Sequence, residues 1–242
     1  MSNPVAVDYR PQTLPPLLGS RHYFLFRRLH SLTGLVFGGY LIVHLLVNAT
    51  IAQGGAVFQT QVDKIHSLPF LPVIEWTFIY LPILFHTVYG SWIIFTGQPN
   101  VNRYRYQKNI YYTLQRISAV VIVFFMLFHV LSLKYGAFGT NLSFEPHRAL
   151  GTVGRHFDNG FLVWVVYPIG ILASCYHLAN GFWAAAITWG LTISEGAQRR
   201  WGLICAGLFA LTFIAGMIAL IAGANLDWND LVETQQKVGH GS

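Results

Sequence analysis

Five long apolar stretches, separated by short polar segments, dominate the pattern of hydrophobic and polar positions along this 242-residue chain. A helix needs about 20 residues to cross a hydrocarbon core of about 30 Å, so each stretch is long enough to span a membrane. The predicted transmembrane helices are Leu29–Thr50, Val73–Phe95, Leu114–Leu133, Phe161–Thr188 and Leu203–Ala222. We therefore predict an all-α integral membrane protein, with an N-terminal arm over 1–28, a membrane domain over 29–222 and a tail over 223–242.

The composition supports a membrane protein. Hydrophobic residues make up 54% of the chain and charged residues 10%, whereas about a quarter of the residues in a soluble domain are charged. This excludes a secreted disulfide scaffold, a disordered chain and a nucleic-acid-binding domain. The two cysteines, Cys175 and Cys205, lie in separate apolar stretches, so the chain offers no thiolate cluster for an iron–sulfur centre or a structural zinc ion.

Lysine and arginine are distributed unequally between the two predicted sides of the membrane. Ten lie in the N-terminal segment, the second loop and the fourth loop, and five lie on the other side. Because cytoplasmic segments carry the excess of positive charge, we predict a cytoplasmic N-terminus and an extracytoplasmic C-terminus. The two longer outer segments, 54–72 and 136–160, are rich in Gly, Asn and Pro and are expected to be loops.

Four of the ten histidines lie inside the first four predicted helices, one in each: His44, His86, His129 and His177. An ionisable residue at membrane depth is costly and points to function. At 1.5 Å per residue, His44 and His129 lie about 9 Å from the outer ends of their helices, and His86 and His177 lie about 20 and 24 Å below theirs. They therefore sort into an outer pair, His44 with His129, and an inner pair, His86 with His177. Since two imidazoles facing each other in a helix bundle suit the axial positions of a b-type haem, we predict a four-helix bundle with two haems.

Other metal chemistry fits this pattern less well. A catalytic zinc ion usually has three protein ligands, and a proton relay uses Asp and Glu beside His, but Glu75 is the one carboxylate at membrane depth. His30 and His44 are fourteen residues apart, which would allow two ligands on one helix, but no other helix repeats this spacing. The remaining histidines lie in polar segments and are expected to be solvated: His22, His66, His147, His156 and His240.

A series of short strings occurs in order between Phe26 and Thr192. The strings are FRRLHSLTG, VHLLVN, SLPFLP, LPILFHTVYG, TLQRI, FHV, YHLANGFW and TWGLT. Together they resemble the single-chain, five-helix, di-haem cytochrome b anchor of succinate dehydrogenase and fumarate reductase from menaquinone-using bacteria. The four histidines of the outer and inner pairs all fall within these strings.

The resemblance implies a membrane anchor and electron conduit of a succinate:menaquinone oxidoreductase in the bacterial cytoplasmic membrane. It implies two haem b groups, with the outer pair and the inner pair as their iron ligands. It also implies a flavoprotein subunit with the dicarboxylate site and an iron–sulfur subunit as partners, since this chain has neither a G-x-G-x-x-G motif after a strand nor a cysteine run. Quinone and membrane lipid would be its other partners, and nucleic acid would not.

Two further classes of function stay open from the sequence. The cytochrome b subunit of a hydrogenase or formate dehydrogenase also has histidines in membrane helices, and composition does not separate it from the first class. A five-helix transporter or scaffold would use the same histidines for packing alone.

Quinone sites are harder to locate from sequence than haem sites. A quinone needs an apolar slot, a donor for each carbonyl and a route for protons. Glu75, at the outer end of the second helix, is therefore the predicted acid–base residue of an outer quinone site. Arg28, His30 and Ser31 at the inner boundary, with Arg116 at the start of the third helix, are predicted to hold haem propionates or an inner quinone.

Overall fold

The computed structural model describes residues 20–97, 106–137 and 144–225, and within these ranges the chain forms helices and no strand. The long helices are α1 (Ser20–Ala49), α4 (Leu81–Thr96), α5 (Gln107–Tyr135), α7 (Tyr167–Thr188) and α8 (Glu195–Asn225). The short helices are α2 (Gly55–His66), α3 (Leu71–Glu75) and α6 (Ala149–Phe157), with 3₁₀ turns at Thr50–Gln53 and Pro146–Arg148.

Five helical segments of the described residues are long and apolar enough to cross a membrane. They are His22–Gln53, Leu71–Thr96, Gln107–Tyr135, Leu162–Thr188 and Glu195–Asn225. This confirms the predicted all-α, multi-pass membrane protein. Helix α1 begins at Ser20, so its first turns lie in the segment assigned to the N-terminal arm. The rest of that arm, 1–19, and the tail from 226 onward lie outside the described residues.

Four of the long helices form a bundle and the fifth packs on its side. Helix α1 packs against α4, α7 and α8, and α7 packs against α5 and α8. The buried core lies between α1, α7 and α8, and it includes Leu45, Ile171 and Cys175. Many large apolar side chains of α4, α5 and α8 are exposed, Phe95 and Phe124 among them, as expected for surfaces that face lipid rather than water.

Two π-helical turns interrupt two of the membrane-spanning segments. They span Trp76–Tyr80 and Leu162–Val166, and Pro82 and Pro168 follow two residues after their ends. Proline has no N–H for the α-helical hydrogen bond to residue i−4, and such a break is commonly accommodated by a locally wider turn. Tyr80 ends the first turn and Tyr167 directly follows the second.

The outer segments are more ordered than the sequence analysis expected. Both were predicted as loops, but they contain α2 and α6, whose apolar faces meet in a second buried cluster. Its members are Ile51, Phe58, Val62, Ala149 and Leu150. The loop prediction was wrong because it gave weight to the Gly and Asn residues of these segments and overlooked the apolar residues at helical spacing between them. The burial extends to His156, which is 2% exposed although it was expected to be solvated.

Candidate metal centres

The structure brings His44 of α1 together with His129 of α5. Their ring centroids are 6.0 Å apart and their planes are inclined by 87°. Two imidazoles bound on opposite sides of one metal ion have ring centroids about 6 Å apart, because each metal–nitrogen bond is about 2 Å long. The separation of the outer pair therefore leaves room for one ion between two ring nitrogens.

The inner pair repeats this geometry between the other two helices of the bundle. The ring centroids of His86 on α4 and His177 on α7 are 6.1 Å apart, and their planes are inclined by 88°. Each pair thus joins two different helices, and together the pairs use all four helices of the bundle once. The depth argument from sequence and the side-chain geometry agree on which histidines face each other.

Three of these four histidines place Nδ1 against an oxygen atom. The partners are the Tyr167 hydroxyl for His129 at 3.1 Å, the His30 carbonyl for His86 at 3.0 Å and the Gln115 carbonyl for His177 at 3.2 Å. A carbonyl oxygen only accepts, so Nδ1 of His86 and of His177 carries the proton and Nε2 has a free lone pair. Metal-bound histidines characteristically donate their other ring N–H in this way.

His44 is the exception among the four. Its Nδ1 lies 3.5 Å from Nδ2 of Asn48, and the same amide group donates to the His44 carbonyl oxygen at 2.7 Å. The short bond to the carbonyl fixes the amide nitrogen toward His44, so Nδ1 of this ring faces a donor rather than an acceptor. The outer pair therefore has one well-supported ring, that of His129.

The donor sets suit a prosthetic group better than a bare ion. No group of three or more His, Cys, Asp or Glu side chains within 20–97, 106–137 and 144–225 is placed to hold a metal ion. Two imidazoles complete the coordination of an iron whose other ligands come from a porphyrin. The two pairs, their separations and the free Nε2 atoms of His86 and His177 fit haem iron.

His30 lies closer to the inner pair than its position in the sequence indicated. Its ring stacks on that of His86 with centroids 4.0 Å apart and planes 12° apart. Its Nδ1 is buried and has no hydrogen-bond partner among the described residues, and the same holds for the hydroxyl of neighbouring Tyr89.

The other residues of the predicted inner cluster lie in two places. Arg28 lies over the Trp189 ring, 4.7 Å from its centroid, and Nε1 of Trp189 donates to the Ser31 hydroxyl at 3.0 Å. Arg116 instead lies over the Tyr112 ring at 4.3 Å and donates to the Ile93 carbonyl oxygen at 3.2 Å, where α5 meets α4. Arg28 and Ser31 thus share a partner, and Arg116 bridges two other helices.

Glu75 ends α3, directly before the first π-helical turn, and its side chain is half-buried. It is near enough to act electrostatically on Tyr40 and on Lys134. Tyr40 lies against His44 with ring centroids 5.6 Å apart, and Lys134 donates to the Tyr80 hydroxyl. Glu75 therefore lies on the same side of the bundle as the outer pair.

Sequence reasoning missed two residues beside the outer pair, Tyr167 and His156. The Tyr167 hydroxyl contacts His129 and is also 2.8 Å from Nε2 of His156. Burial lowers the pKa of His156, which lies on α6 outside the membrane-spanning segments, below its ordinary value. The signal was present, since Ala149, Leu150 and His156 lie on the buried face of α6, but the polar composition of the segment concealed it.

Comparison with known proteins agrees with this architecture. Residues 97–216 match the model of the succinate dehydrogenase/fumarate reductase transmembrane subunit family. The chain is also 33% identical over 206 residues to the succinate dehydrogenase cytochrome b558 subunit of Bacillus subtilis (strain 168). That similarity covers 84% of this chain and 98% of the relative. The multi-pass chain therefore belongs to the family of succinate dehydrogenase/fumarate reductase transmembrane subunits.

Proposed function

We propose that this chain anchors a succinate:quinone oxidoreductase in the bacterial cytoplasmic membrane and conducts electrons between an iron–sulfur subunit and menaquinone through two b haems. The observation that carries the proposal is the separation of the ring centroids in the two histidine pairs. It is 6.0 Å in the outer pair and 6.1 Å in the inner pair, with one pair for each predicted haem. The B. subtilis relative is named as a cytochrome b, which agrees with haem as the bound group.

The outer pair would hold one haem iron and the inner pair the other, each through Nε2. A bound haem iron passes one electron at a time by alternating between its ferric and ferrous states. The protein would fix the rings of His86, His129 and His177 through Nδ1, exclude water with the apolar faces of the bundle and place the two centres at different depths. Gly34 supports this arrangement, since a methyl group there would lie 2.5 Å from Cε1 of His86.

The partners follow from the chemistry that this chain lacks. Oxidation of succinate to fumarate releases two electrons and two protons, and reduction of a quinone to a quinol takes up the same number. The chain has no motif for binding flavin and no cysteine cluster, so a flavoprotein subunit would oxidise succinate and an iron–sulfur subunit would deliver the electrons. With a cytoplasmic N-terminus, these subunits would dock beside the inner pair.

The outer quinone site would use Glu75 as its acid–base residue. Glu75 is half-buried, and it acts on Tyr40, which contacts His44 of the outer pair. A quinone bound here would receive electrons from the outer haem and protons through the Glu75 carboxyl group.

The inner cluster has two roles in this proposal. Haem propionates would bind cationic or hydroxyl groups. The candidates are Arg28 and Ser31, which both contact Trp189, and Arg116, which joins α5 to α4. His30, with its buried and unpartnered Nδ1, is suited to hydrogen-bond a propionate or the carbonyl oxygen of an inner quinone.

One purification tests the proposal. The chain, isolated from its native membrane in mild detergent, should carry flavoprotein and iron–sulfur subunits and two b haems per chain in a reduced-minus-oxidised spectrum. Succinate should reduce at least one of the haems. Copurification with a hydrogenase or formate dehydrogenase would instead support the other class of quinone-linked cytochrome b, and absence of haem would contradict both.

A further inference from the structure

A chain of two hydrogen bonds runs from His129 of the outer pair to the short outer helix α6. Nδ1 of His129 lies 3.1 Å from the Tyr167 hydroxyl, and that hydroxyl lies 2.8 Å from Nε2 of His156. Tyr167 is 5% exposed and His156 is 2% exposed. Water therefore has little access to either bond, and hydrogen bonds in such a medium are stronger than they are in water.

Iron binding by His129 would fix which group donates in each of the two hydrogen bonds between His129, Tyr167 and His156. If His129 binds iron through Nε2, its Nδ1 carries a proton and donates to the Tyr167 oxygen. The tyrosine has one proton of its own, which then points to Nε2 of His156. His156 must accept at that nitrogen, so it is neutral and carries its proton on Nδ1, which is buried without a partner among the described residues.

We propose that Tyr167 and His156 are positioning residues for His129 and, through it, set the reduction potential of the outer haem. The inference rests on the proposed function, because it takes His129 as an iron ligand. A hydrogen bond accepted from Nδ1–H makes an imidazole a stronger donor to its metal. A stronger donor favours ferric over ferrous iron, so the Tyr167 hydroxyl lowers the potential of the outer haem.

The other ligands explain why this control falls on the outer haem. Both inner histidines bond to backbone carbonyl oxygens, those of His30 and Gln115, which side-chain changes do not remove, although Nδ1 of His177 also lies 3.3 Å from the Ser118 hydroxyl. His44 has only the amide nitrogen of Asn48 near its Nδ1, at 3.5 Å. The inner ligands therefore keep a carbonyl acceptor whatever their side-chain neighbours are, whereas His129 has the Tyr167 hydroxyl as its partner. His156, outside the membrane-spanning segments, in turn contacts that hydroxyl.

Packing alone would also bury Tyr167, so the test must separate packing from hydrogen bonding. The Tyr167 ring contacts Phe125 and Phe157 edge to face, with centroids 5.4 and 5.0 Å apart. Tyr167→Phe keeps these contacts and removes only the hydroxyl. His156→Leu removes the acceptor beyond the tyrosine, and His156→Gln returns an amide oxygen that accepts a hydrogen bond.

The experiment is a redox titration of both haems in the assembled membrane complex, with low-temperature EPR of the oxidised state. The outer transition is identified as the one that His44→Ala removes. We expect Tyr167→Phe to raise the potential of the outer haem and to change its low-spin EPR signal, with no shift of the inner haem. His156→Leu should give a smaller shift in the same direction, and His156→Gln should return the potential toward the wild-type value.

Tyr176→Phe is the matched control. Tyr176 lies on the same helix, and its hydroxyl contacts the Tyr111 carbonyl oxygen at 3.4 Å, so its loss should leave the outer potential unchanged. An unchanged outer potential in both Tyr167→Phe and His156→Leu would overturn the inference, as would equal shifts of both haems. If Tyr167→Phe does not assemble, His156→Leu decides alone. Wild-type complex without two haems would instead contradict the proposed function.

Discussion

The ring of His30 lies face to face with that of His86, with centroids 4.0 Å apart, while the His30 carbonyl oxygen accepts a hydrogen bond from Nδ1 of His86 at 3.0 Å. One residue of α1 therefore holds a predicted ligand of α4 by both its ring and its backbone. Glycines make this approach possible. A methyl group at Gly34 would lie 2.5 Å from Cε1 of His86, and one at Gly90 would lie 3.1 Å from Cε1 of His30.

Gly34→Ala should disturb the inner haem selectively. The added methyl group overlaps the His86 ring, so the ring must turn or α1 must move away from α4. Overpacking of this kind typically costs about 1–3 kcal/mol, which corresponds to roughly five- to 150-fold in haem affinity if the whole cost falls on binding. The inner haem should be lost or shifted in optical titrations with haem, while the outer haem stays near its wild-type content.

Gly39→Ala is the matched control on the same helix. A methyl group at Gly39 meets no heavy atom within 4 Å, so both haems should bind as in the wild-type chain. Equal haem content in the two variants would show that the contact between Gly34 and His86 does not constrain the inner site.

Single substitutions of the four histidines should sort by pair. His44→Ala and His129→Ala should remove or convert the same haem, and His86→Ala and His177→Ala should affect the other, because a haem with one axial ligand is weakly held or high-spin. Low-temperature difference spectra and EPR of each variant give the assignment. The pairing is wrong if His44→Ala and His86→Ala alter the same haem.

The spans and the facing histidines were predictable because both depend on local quantities. Apolar length gives the five helices, and position along a helix gives depth, so His44 and His129 share a level before any fold is known. The neighbours of these rings depend on tertiary contacts instead. The sequence near His156 contains a buried helix face, but it does not say that this face meets Tyr167. Likewise, nothing near His30 says that its carbonyl oxygen meets His86. The predicted inner cluster likewise assumed that residues adjacent in sequence share partners, but on a helix Arg28 and His30 point in different directions.

The membrane topology predicted from charge asymmetry can be tested in sealed vesicles. Cysteine at Thr60, an exposed position of α2, should react with an impermeant thiol reagent from the outside. Cysteine at Gln107, at the exposed start of α5, should react only after the membrane is permeabilised. The native thiols, Cys175 and Cys205, are buried and should give little background. Reversed labelling would put the inner pair on the outside and would overturn the direction assigned to the electron path.

Electron transfer from succinate to an outer quinone site should depend on the membrane potential. Electrons would enter on the cytoplasmic, negative side and leave near the outer pair, on the positive side. This movement is favoured by the field, and a full crossing contributes about 2.3 kcal/mol per elementary charge per 100 mV. Protons taken up from the outside through Glu75 would complete the quinol there. Collapsing the potential with an uncoupler should therefore slow succinate-dependent quinone reduction in intact cells or sealed vesicles of native orientation.

Glu75→Gln tests the proton part of this path. The variant removes a carboxyl group that acts electrostatically on Tyr40 and Lys134 without changing the size of the side chain, so both haems should keep their spectra while quinone turnover falls. If protonation by Glu75 provides the usual contribution of a general acid, the loss is about 10²–10⁴-fold. Glu145→Gln, an exposed carboxyl group on the same side, is the control and should retain normal turnover. Wild-type turnover in Glu75→Gln, together with insensitivity to uncoupler, would exclude the outer site, and His30 and Ser31 would become the leading residues for quinone binding near the inner pair.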